Sequence, residues 1–581
     1  MKSHSALGER LISNFQSLRD APQSLTSNLQ SPISNLQLLF TFSFFLAHTL
    51  FYAVALGGDA VDDAYISFRY AQNAILGYGL VFNPGERVEG FTNFLWTALM
   101  IPLEGAGMDV GRGSMVLGVL FALAIMWLVV RFAKIVDAPP SVGMLAVLLL
   151  AVDGSFTLWA ISGLETAMFA FLIFAGAVLY AREQIWDASP SKEGAERGWT
   201  RRKNTKNPRL SALVRVPITF PFSGIFFALA AMTRPEGLMV FAITVAHQAA
   251  WRVLAERRLF TFRDLARIFA FSAFFAPYWL GRWWYYASFL PNSFYAKVSA
   301  AGPAAQLTRG WNHLSQFVNV HLGWIVVVPP LFALAASVRN FFAHTPTRPH
   351  SLPPLPLSRA PRAFWMSYLA AILVPYAAYI VYVGGDWSVG RFFVPLLAPF
   401  YLLFSTGLVD LWKWAVDKWS NHARPRAAWL GITASIVFAG LVFGFSSWNG
   451  EYGIFIRGFD AGTATAARAA MGKWLRTSAP RGTVIAVDAA GQVPYFSGLP
   501  AIDMFGINDL HIGRMTVSTL GQGTPGHEKF DLGYVIGRTP TYVIIYGTLL
   551  DGVREYDRAP ATWTDNTEYL KFLTLYVRRK E

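Results

Sequence analysis

Asp62-Asp63-Ala64-Tyr65-Ile66-Ser67-Phe68-Arg69-Tyr70 stands just past an apolar run over residues 36 to 56, and the polar stretch continues through Asn83-Pro84-Gly85-Glu86-Arg87-Val88-Glu89-Gly90-Phe91-Thr92-Asn93. An α-helix needs about 20 apolar residues to cross roughly 30 Å of hydrocarbon, and the run supplies them. Paired carboxylates at its end are costly to keep dry, so they point to chemistry or ion handling at a water-facing mouth.

The rest of the chain repeats that apolar pattern. Of 581 residues 54% are hydrophobic and only 14% charged, where a soluble protein carries about 25% charge. Long apolar runs recur where a β-barrel would show short alternating segments, so the fold class is an α-helical polytopic membrane protein whose first partner is the lipid bilayer. The net charge of +14 gathers in short loops between apolar runs, which reads as topology and excludes a nucleic-acid surface. No cysteine is present, so neither a disulfide nor a thiolate metal site contributes. The small-x-small triplet Ala53-Val54-Ala55 resembles a signal cleavage site, but the run before it is long enough to span.

Residues 1–35 are polar and repetitive and read as a disordered cytoplasmic leader. Eleven spans follow between residues 36 and 446, near 36–56, 114–133, 139–157, 164–181, 218–233, 236–253, 265–283, 314–336, 363–383, 391–411 and 427–446. With a cytoplasmic start, the loop from Arg182 to Arg215 lies inside and collects nine basic residues, among them Arg197, Arg201, Arg202 and Lys203, as the positive-inside rule requires. The ambiguous run Phe91 to Leu103 then belongs to a long first outer loop, residues 57–113, as a helix lying at the interface. Residues 447–581 change to soluble composition, with a helix-like stretch at 464–476 and β-type runs at 483–487 and 542–546. They predict a soluble α/β domain outside the cytoplasmic membrane.

This topology puts five scattered polar constellations on the outer face: Asp62-Asp63, Ser162-Gly163-Leu164-Glu165-Thr166, Thr233-Arg234-Pro235-Glu236-Gly237, Leu290 to Lys297, and Gly384-Gly385-Asp386-Trp387 with Arg391. A charge facing lipid at mid-depth costs about 2.5–3.5 kcal/mol. Those around Glu165 and Arg234 must therefore pair or line a wet cavity. Glycosyl transfer needs a base for the acceptor proton, for which Asp62 and Asp63 are candidates, and cations for a departing phosphate, for which Lys297, Arg69, Arg234 and Arg391 are candidates. Tyr65, Tyr70, Trp159, Tyr295 and Trp387 offer faces for sugar rings. The plainer readings are helix caps for the acids, salt bridges for Arg234 and Arg391, and an interfacial snorkelling lysine. No His pair or glycine-rich phosphate loop is visible, so no cofactor or metal is expected, although a carboxylate-only Mg²⁺ or Ca²⁺ site at the acidic pair stays open.

In this order, the constellations, with Gly79 to Gly90, Gly506 to His511 and Gly526-His527-Glu528-Lys529, resemble the polytopic glycosyltransferases of the GT-C superfamily. The likeness is to the branch holding the mycobacterial terminal arabinofuranosyltransferase and flagellar-motor-control-type membrane proteins. It implies a GT-C-like domain over residues 36–446 and inverting transfer of a sugar, such as arabinofuranose, from a polyprenyl-phosphate donor to a glycan or glycoconjugate hydroxyl. Carried over residue by residue, the catalytic acid falls on Asp62 or Asp63 and the polar donor-site residues on Glu165, Arg234, Glu236 and Lys297. Asn292, Tyr295, Asp386 and Trp387 join Tyr65 and Tyr70 as candidates for the sugars. A transporter and a non-catalytic envelope or motor assembly protein are the rival classes. The transporter predicts broken helices around charges near mid-membrane.

Overall fold

A computed structural model describes residues 35–187, 220–257, 259–297, 303–343, 361–419 and 424–579. The expected leader up to residue 34 and the basic cluster Arg197, Arg201, Arg202 and Lys203 lie outside the described residues.

The apolar runs form helices α1 (Asn35–Ala55), α2 (Asp62–Ile75), α3 (Phe94–Gly105), α4 (Val110–Ile135), α5 (Pro140–Val152), α6 (Gly154–Ala160), α7 (Thr166–Asp187), α8 (Phe222–Thr233), α9 (Glu236–Glu256), α10 (Phe262–Tyr286), α11 (Asn292–Lys297), α12 (Pro303–Asn319), α13 (Val328–Ala343), α14 (Pro361–Tyr382), α15 (Val394–Trp419) and α16 (Arg424–Val442). Among the described residues seven helices are long and apolar enough to cross a membrane, or nine if each of two sharply bent pairs is one span. Eleven spans are expected from the sequence; α8 and α10 are the two of them that this count by length and composition omits among the described residues, each for an identifiable reason. α8 has 12 residues, about 18 Å at 1.5 Å each, which falls short of the hydrocarbon thickness. α10 is long enough, but Arg263, Asp264, Arg267 and Arg282 interrupt it. α3, the ambiguous run, is likewise a short apolar helix.

The bends also have local causes. α5 and α6 meet at 65° where Asp153 leaves helical geometry and its carboxylate caps α6 by accepting from Phe156 N at 2.8 Å. Ala304–Asn319 and Gly323–Arg339 meet at 80° through Leu322, whose φ of 73° no continuous helix tolerates.

Helices pack through small residues where backbones touch. A Cβ on Gly118 of α4 would stand 2.0 Å from the carbonyl oxygen of Ala160, and one on Gly407 of α15 would stand 1.8 Å from that of Pro329. Close approach of this kind substitutes for the hydrophobic driving force that helices lack inside lipid.

Ion clusters cap both ends of α7. At one end Glu165 pairs with Arg234 at 3.0 Å. At the other, Glu183 accepts from Ser223 Oγ at 2.6 Å and pairs with Arg267 at 3.0 Å, and Arg267 reaches Asp264, itself paired with Arg252 at 2.7 Å. Residues 165 and 183 are roughly 27 Å apart along a helix at 1.5 Å per residue, close to the hydrocarbon thickness.

A wide helical segment, Phe443–Gly458, leads from α16 to α17 (Ala461–Ser478). Beyond it stand β1 (Ile485–Val487), the short helix α18 (Gln492–Ser497), β2 (Ala501–Asp503), β3 (Tyr542–Ile545), β4 (Tyr556–Arg558) and β5 (Thr574–Arg578). The sheet order is β2-β1-β3-β5-β4. β1 runs parallel to β2 (Ile485 opposite Ala501) and to β3 (Ile485 opposite Tyr542), while β5 runs antiparallel to β3 and β4. The two β-type runs read from sequence are thus adjacent strands.

Removing Glu183 leaves Arg267 buried without its main partner, and such a break costs about 3–5 kcal/mol. Glu183→Ala is expected to lower the Tm of the detergent-solubilised protein well below that of Glu183→Gln, which keeps an acceptor for Ser223.

Candidate active site

α2 begins where Val61 N–H donates to the Ser162 carbonyl at 3.0 Å, which brings the first two constellations together. Its first turn carries Asp62 and Asp63, and successive helical residues point about 100° apart. The two acids therefore meet different surroundings.

Asp62 faces the sheet region. Its carboxylate accepts from Gln492 N at 2.9 Å and Gly491 N at 3.2 Å, with Arg468 at 4.0 Å. A Cβ on Gly491 would stand 1.9 Å from the Asp62 carbonyl oxygen, so only glycine fits there. Burial raises the Asp62 pKa against the opposing pull of Arg468 and the Gln492 N–H. Its oxygens are committed to holding α18 on α2.

Asp63 faces the other constellations. Its Oδ2 accepts from Trp387 Nε1 at 3.1 Å and from Arg391 at 3.3 Å, yet 38% of the side chain stays exposed against 12% for Asp62. A reactant can therefore reach it. Burial alone would raise its pKa, but Arg391, Lys297 and His527 together hold it below the ordinary carboxylate value. Arg391 also reaches Asp386 at 3.6 Å, whose carboxylate accepts from Ser388 Oγ at 3.1 Å. Gly384 and Gly385, with φ of 83° and 79°, turn the chain so that Asp386 and Trp387 follow α14 inward.

Lys297 ends α11 and makes no hydrogen bond or ion pair to any described residue. It feels the charges of Arg391, Asp386 and Asp63, and burial, followed by the Arg391 charge, lowers its pKa below that of an ordinary lysine. Beside it, Arg234 is fully paired. It bonds Glu236 twice, at 2.8 and 3.3 Å, and Glu165 at 3.0 Å, and lies over the Phe392 ring at 4.7 Å. Asn93 Nδ2 donates to the remaining Glu165 oxygen at 2.8 Å. This triad is the salt-bridged reading of Arg234 made real; its Glu165 attracts Arg391, while Arg234 repels Lys297.

The remaining candidates are placed elsewhere. Arg69 is buried and spends its donors on the carbonyls of Phe82 and Leu499 and on Gln72, so it holds the sheet region rather than a phosphate. Tyr65 donates to Asp59 at 2.6 Å and packs on Tyr495, while Tyr70 donates to the Val88 carbonyl at 2.7 Å. Asn292 Nδ2 donates to the carbonyls of Gly506 and Asp509. The Tyr295 ring lies under Arg514 at 5.0 Å. Hydrogen bonds of buried groups place the first four, and a cation over its ring places Tyr295.

Sequence reading gave no role to His527, which feels Asp63 from the sheet region. It also passed over a buried cluster at the α5–α6 bend. There Asp153 accepts from Tyr401 at 2.6 Å and contacts His321 at 2.9 Å, and Glu451 accepts from Ser155 at 2.9 Å and Trp159 at 3.2 Å. Trp159 in turn packs edge-on against Trp387. A lone Asp153 inside an apolar run was the available signal. Among the described residues no three His, Asp or Glu side chains converge as metal ligands.

Comparison with known proteins places this geometry in context. Residues 456–579 match a domain of unknown function (DUF8728). Over 414 residues the chain is 25% identical to the terminal beta-(1->2)-arabinofuranosyltransferase of Corynebacterium glutamicum, covering 68% of this chain and 52% of that protein. Over 410 residues it is 26% identical to the Mycobacterium tuberculosis protein of the same name, covering 67% and 57%. The chain thus spans about half the length of the curated relatives it matches. The solved structure of ArnT from Cupriavidus metallidurans in the apo state aligns over 92% of this chain and 96% of its own, with a TM-score of 0.51 and 12% identity, and so shares its fold. The resemblance to GT-C glycosyltransferases read from the sequence holds in both comparisons.

The unequal surroundings of the two acids predict unequal effects. Asp62→Ala removes two hydrogen bonds to peptide N–H groups, each worth about 1.5–3 kcal/mol when the acceptor is charged. It is expected to lower Tm and to speed proteolysis between α2 and the sheet region. Asp63→Asn is expected to leave both unchanged.

Proposed function

We propose that this chain is a membrane glycosyltransferase that moves a sugar from a polyprenyl-phosphate carrier to a hydroxyl of a glycan or glycoconjugate, with Asp63 as general base. The observation that carries this reading is one partly exposed carboxylate within electrostatic reach of an ammonium that makes no ion pair to any described residue. Asp63 and Lys297 are the two charges of the cluster that are not fully committed.

Each group has a task. Asp63 accepts the proton of the acceptor hydroxyl as that oxygen bonds to the anomeric carbon. The bond from that carbon to the phosphate oxygen breaks, and its electron pair leaves with the polyprenyl phosphate. Attack from the face opposite the leaving group inverts the anomeric centre. Lys297 stabilises the charge that develops on the departing phosphate, and Arg391, already placed, fixes Asp63 while presenting its outer N–H groups to the same space. The Glu165–Arg234–Glu236 triad attracts Arg391 through Glu165 and does not neutralise Lys297. Asp386 and Trp387 border the sugar, and Asp62 keeps the sheet region seated. Arabinofuranose is the sugar suggested by the names of the curated relatives, and the acting face is the outer one, where the positive-inside rule puts these constellations.

One observation favours a transporter as the second reading. The break at Asp153 places Asp153, His321 and Glu451 inside the helical bundle, which is the arrangement transporters use around a central site. Counterflow of a sugar phosphate in proteoliposomes, lost in Asp153→Asn and without any transfer product, would favour that class.

The transferase reading sets three kinetic results, measured with polyprenyl-phosphate-linked arabinofuranose in proteoliposomes. Asp63→Asn lowers kcat by about 10²–10⁴ at unchanged Tm, and full activity in that variant would overturn the base assignment. Because the Asp63 pKa lies below normal, the base stays ionised as pH falls, so kcat/KM shows no acid limb above about pH 4. Because the Lys297 pKa is also depressed, the cation is lost early as pH rises, and the alkaline limb begins below the ordinary lysine value of about 10.4. Lys297→Arg should move that limb upward.

A further inference from the structure

β1, β2 and β3 run parallel, so their carboxyl ends lie along one edge of the sheet. In open α/β sheets that edge is where ligands bind. Here it is fastened beside the reacting acid, because the loop after β1 ends at Gly491 and Gln492, whose N–H groups hold Asp62, the direct neighbour of Asp63.

The residues that leave this edge suit a sugar. Asp488 follows β1 directly and is half-buried. One of its oxygens accepts from Tyr546 N at 2.6 Å, which ties the ends of β1 and β3 together and leaves capacity for a further donor. Tyr546 follows β3 with 67% of its surface exposed, and its ring packs on no other described ring. His527 is exposed, and its ring stands edge-on to Phe505, just beyond β2, at 4.7 Å. Its Nδ1 lies 3.3 Å from the Pro525 carbonyl. In the tautomer that donates there, Nε2 remains a free acceptor. The same loop rests on the phosphate side of the site, since a Cβ on Gly526 would stand 3.2 Å from Lys297 Cε. His527 acts on the carboxylates of both Asp63 and Asp488, so it lies between the membrane cluster and the sheet edge.

We infer that this edge carries the acceptor subsite: Asp488 and His527 hydrogen-bond the hydroxyls of an acceptor sugar ring and Tyr546 covers its apolar face, so that one hydroxyl is presented to Asp63. The inference rests on the sugar-transfer reading above and adds to it the part played by the C-terminal sheet. A carboxylate, an imidazole and an open aromatic face match the alternation of hydroxyl and C–H surface on a furanose or pyranose ring. Fully charged phosphate would instead be repelled by Asp488, which separates this subsite from the donor phosphate at Lys297.

The test uses the full chain in lipid nanodiscs and two probes, an octyl arabinofuranoside with a free 2-hydroxyl and undecaprenyl phosphate, each titrated calorimetrically. Tyr546→Ala and His527→Ala change exposed side chains, and their Tm should equal that of the unaltered protein. Each is expected to weaken saccharide binding about fivefold to tenfold, the loss of one aromatic face or hydrogen bond, while undecaprenyl phosphate binding stays the same. Undiminished saccharide binding in both variants would overturn the subsite. So would an unaltered chain that takes the lipid phosphate but not the saccharide. A chain that binds the saccharide through Tyr546 and His527 but never binds the lipid phosphate would keep the subsite and remove the polyprenyl-phosphate donor instead.

Discussion

Arg234 lying between Glu165 and Glu236 is the contact on which the site depends. An arginine and two glutamates near the end of apolar helices are individually unaffordable in hydrocarbon, and together they form a low-dielectric unit whose excess negative charge is balanced by Arg391 nearby. Because each partner comes from a different segment, the ends of α7, α8 and α9 are fixed against one another. Phe392, stacked on Arg234, then fixes the residue before it in space relative to that unit. Arg391 therefore reaches Asp63 from a rigid platform.

The same accounting separates two acids that are neighbours in sequence. Asp62 is satisfied by peptide N–H groups and keeps one region seated on the other, whereas Asp63 has donors on one oxygen and a more exposed side chain. A base must be held firmly and still have a lone pair to offer, and only Asp63 meets both conditions. Lys297 is its counterpart among cations: Arg234 is spent on carboxylates, whereas the lysine makes no ion pair to any described residue.

The sequence carries the membrane class, the positions of most helices and the five constellations, because apolar length and the cost of isolated charges act on local stretches of chain. Val61 bonded to Ser162, Glu165 to Arg234, and Asp63 to Arg391 join constellations that stand far apart along the chain. The number of spans is less legible. A run such as 139–157 looks continuous in composition, but Asp153 prefers to cap a new helix, and α10 carries Asp264 and Arg267, drawn into the Glu183 network, inside a run that reads as a span. Roles that depend on the far side of a junction are not legible at all. Arg69 reads like a phosphate ligand until the carbonyl of Leu499 appears beside it, and nothing local to His527 tells that its loop lies on Lys297.

Two kinds of junction thus divide the labour of the fold. Within the helical bundle, charged groups are matched to each other, and this removes them from chemistry while setting the geometry of the few that remain. Between the bundle and the sheet, charged and polar groups are matched to peptide N–H and carbonyl groups, as Asp62, Arg69 and Asn292 are. Backbone partners cannot change protonation or swing to new rotamers, so this second junction holds its spacing whatever happens to the charges nearby. A site between two such surfaces can pass a proton and release an anion without the walls rearranging, and that constancy is what preorganised electrostatic catalysis requires.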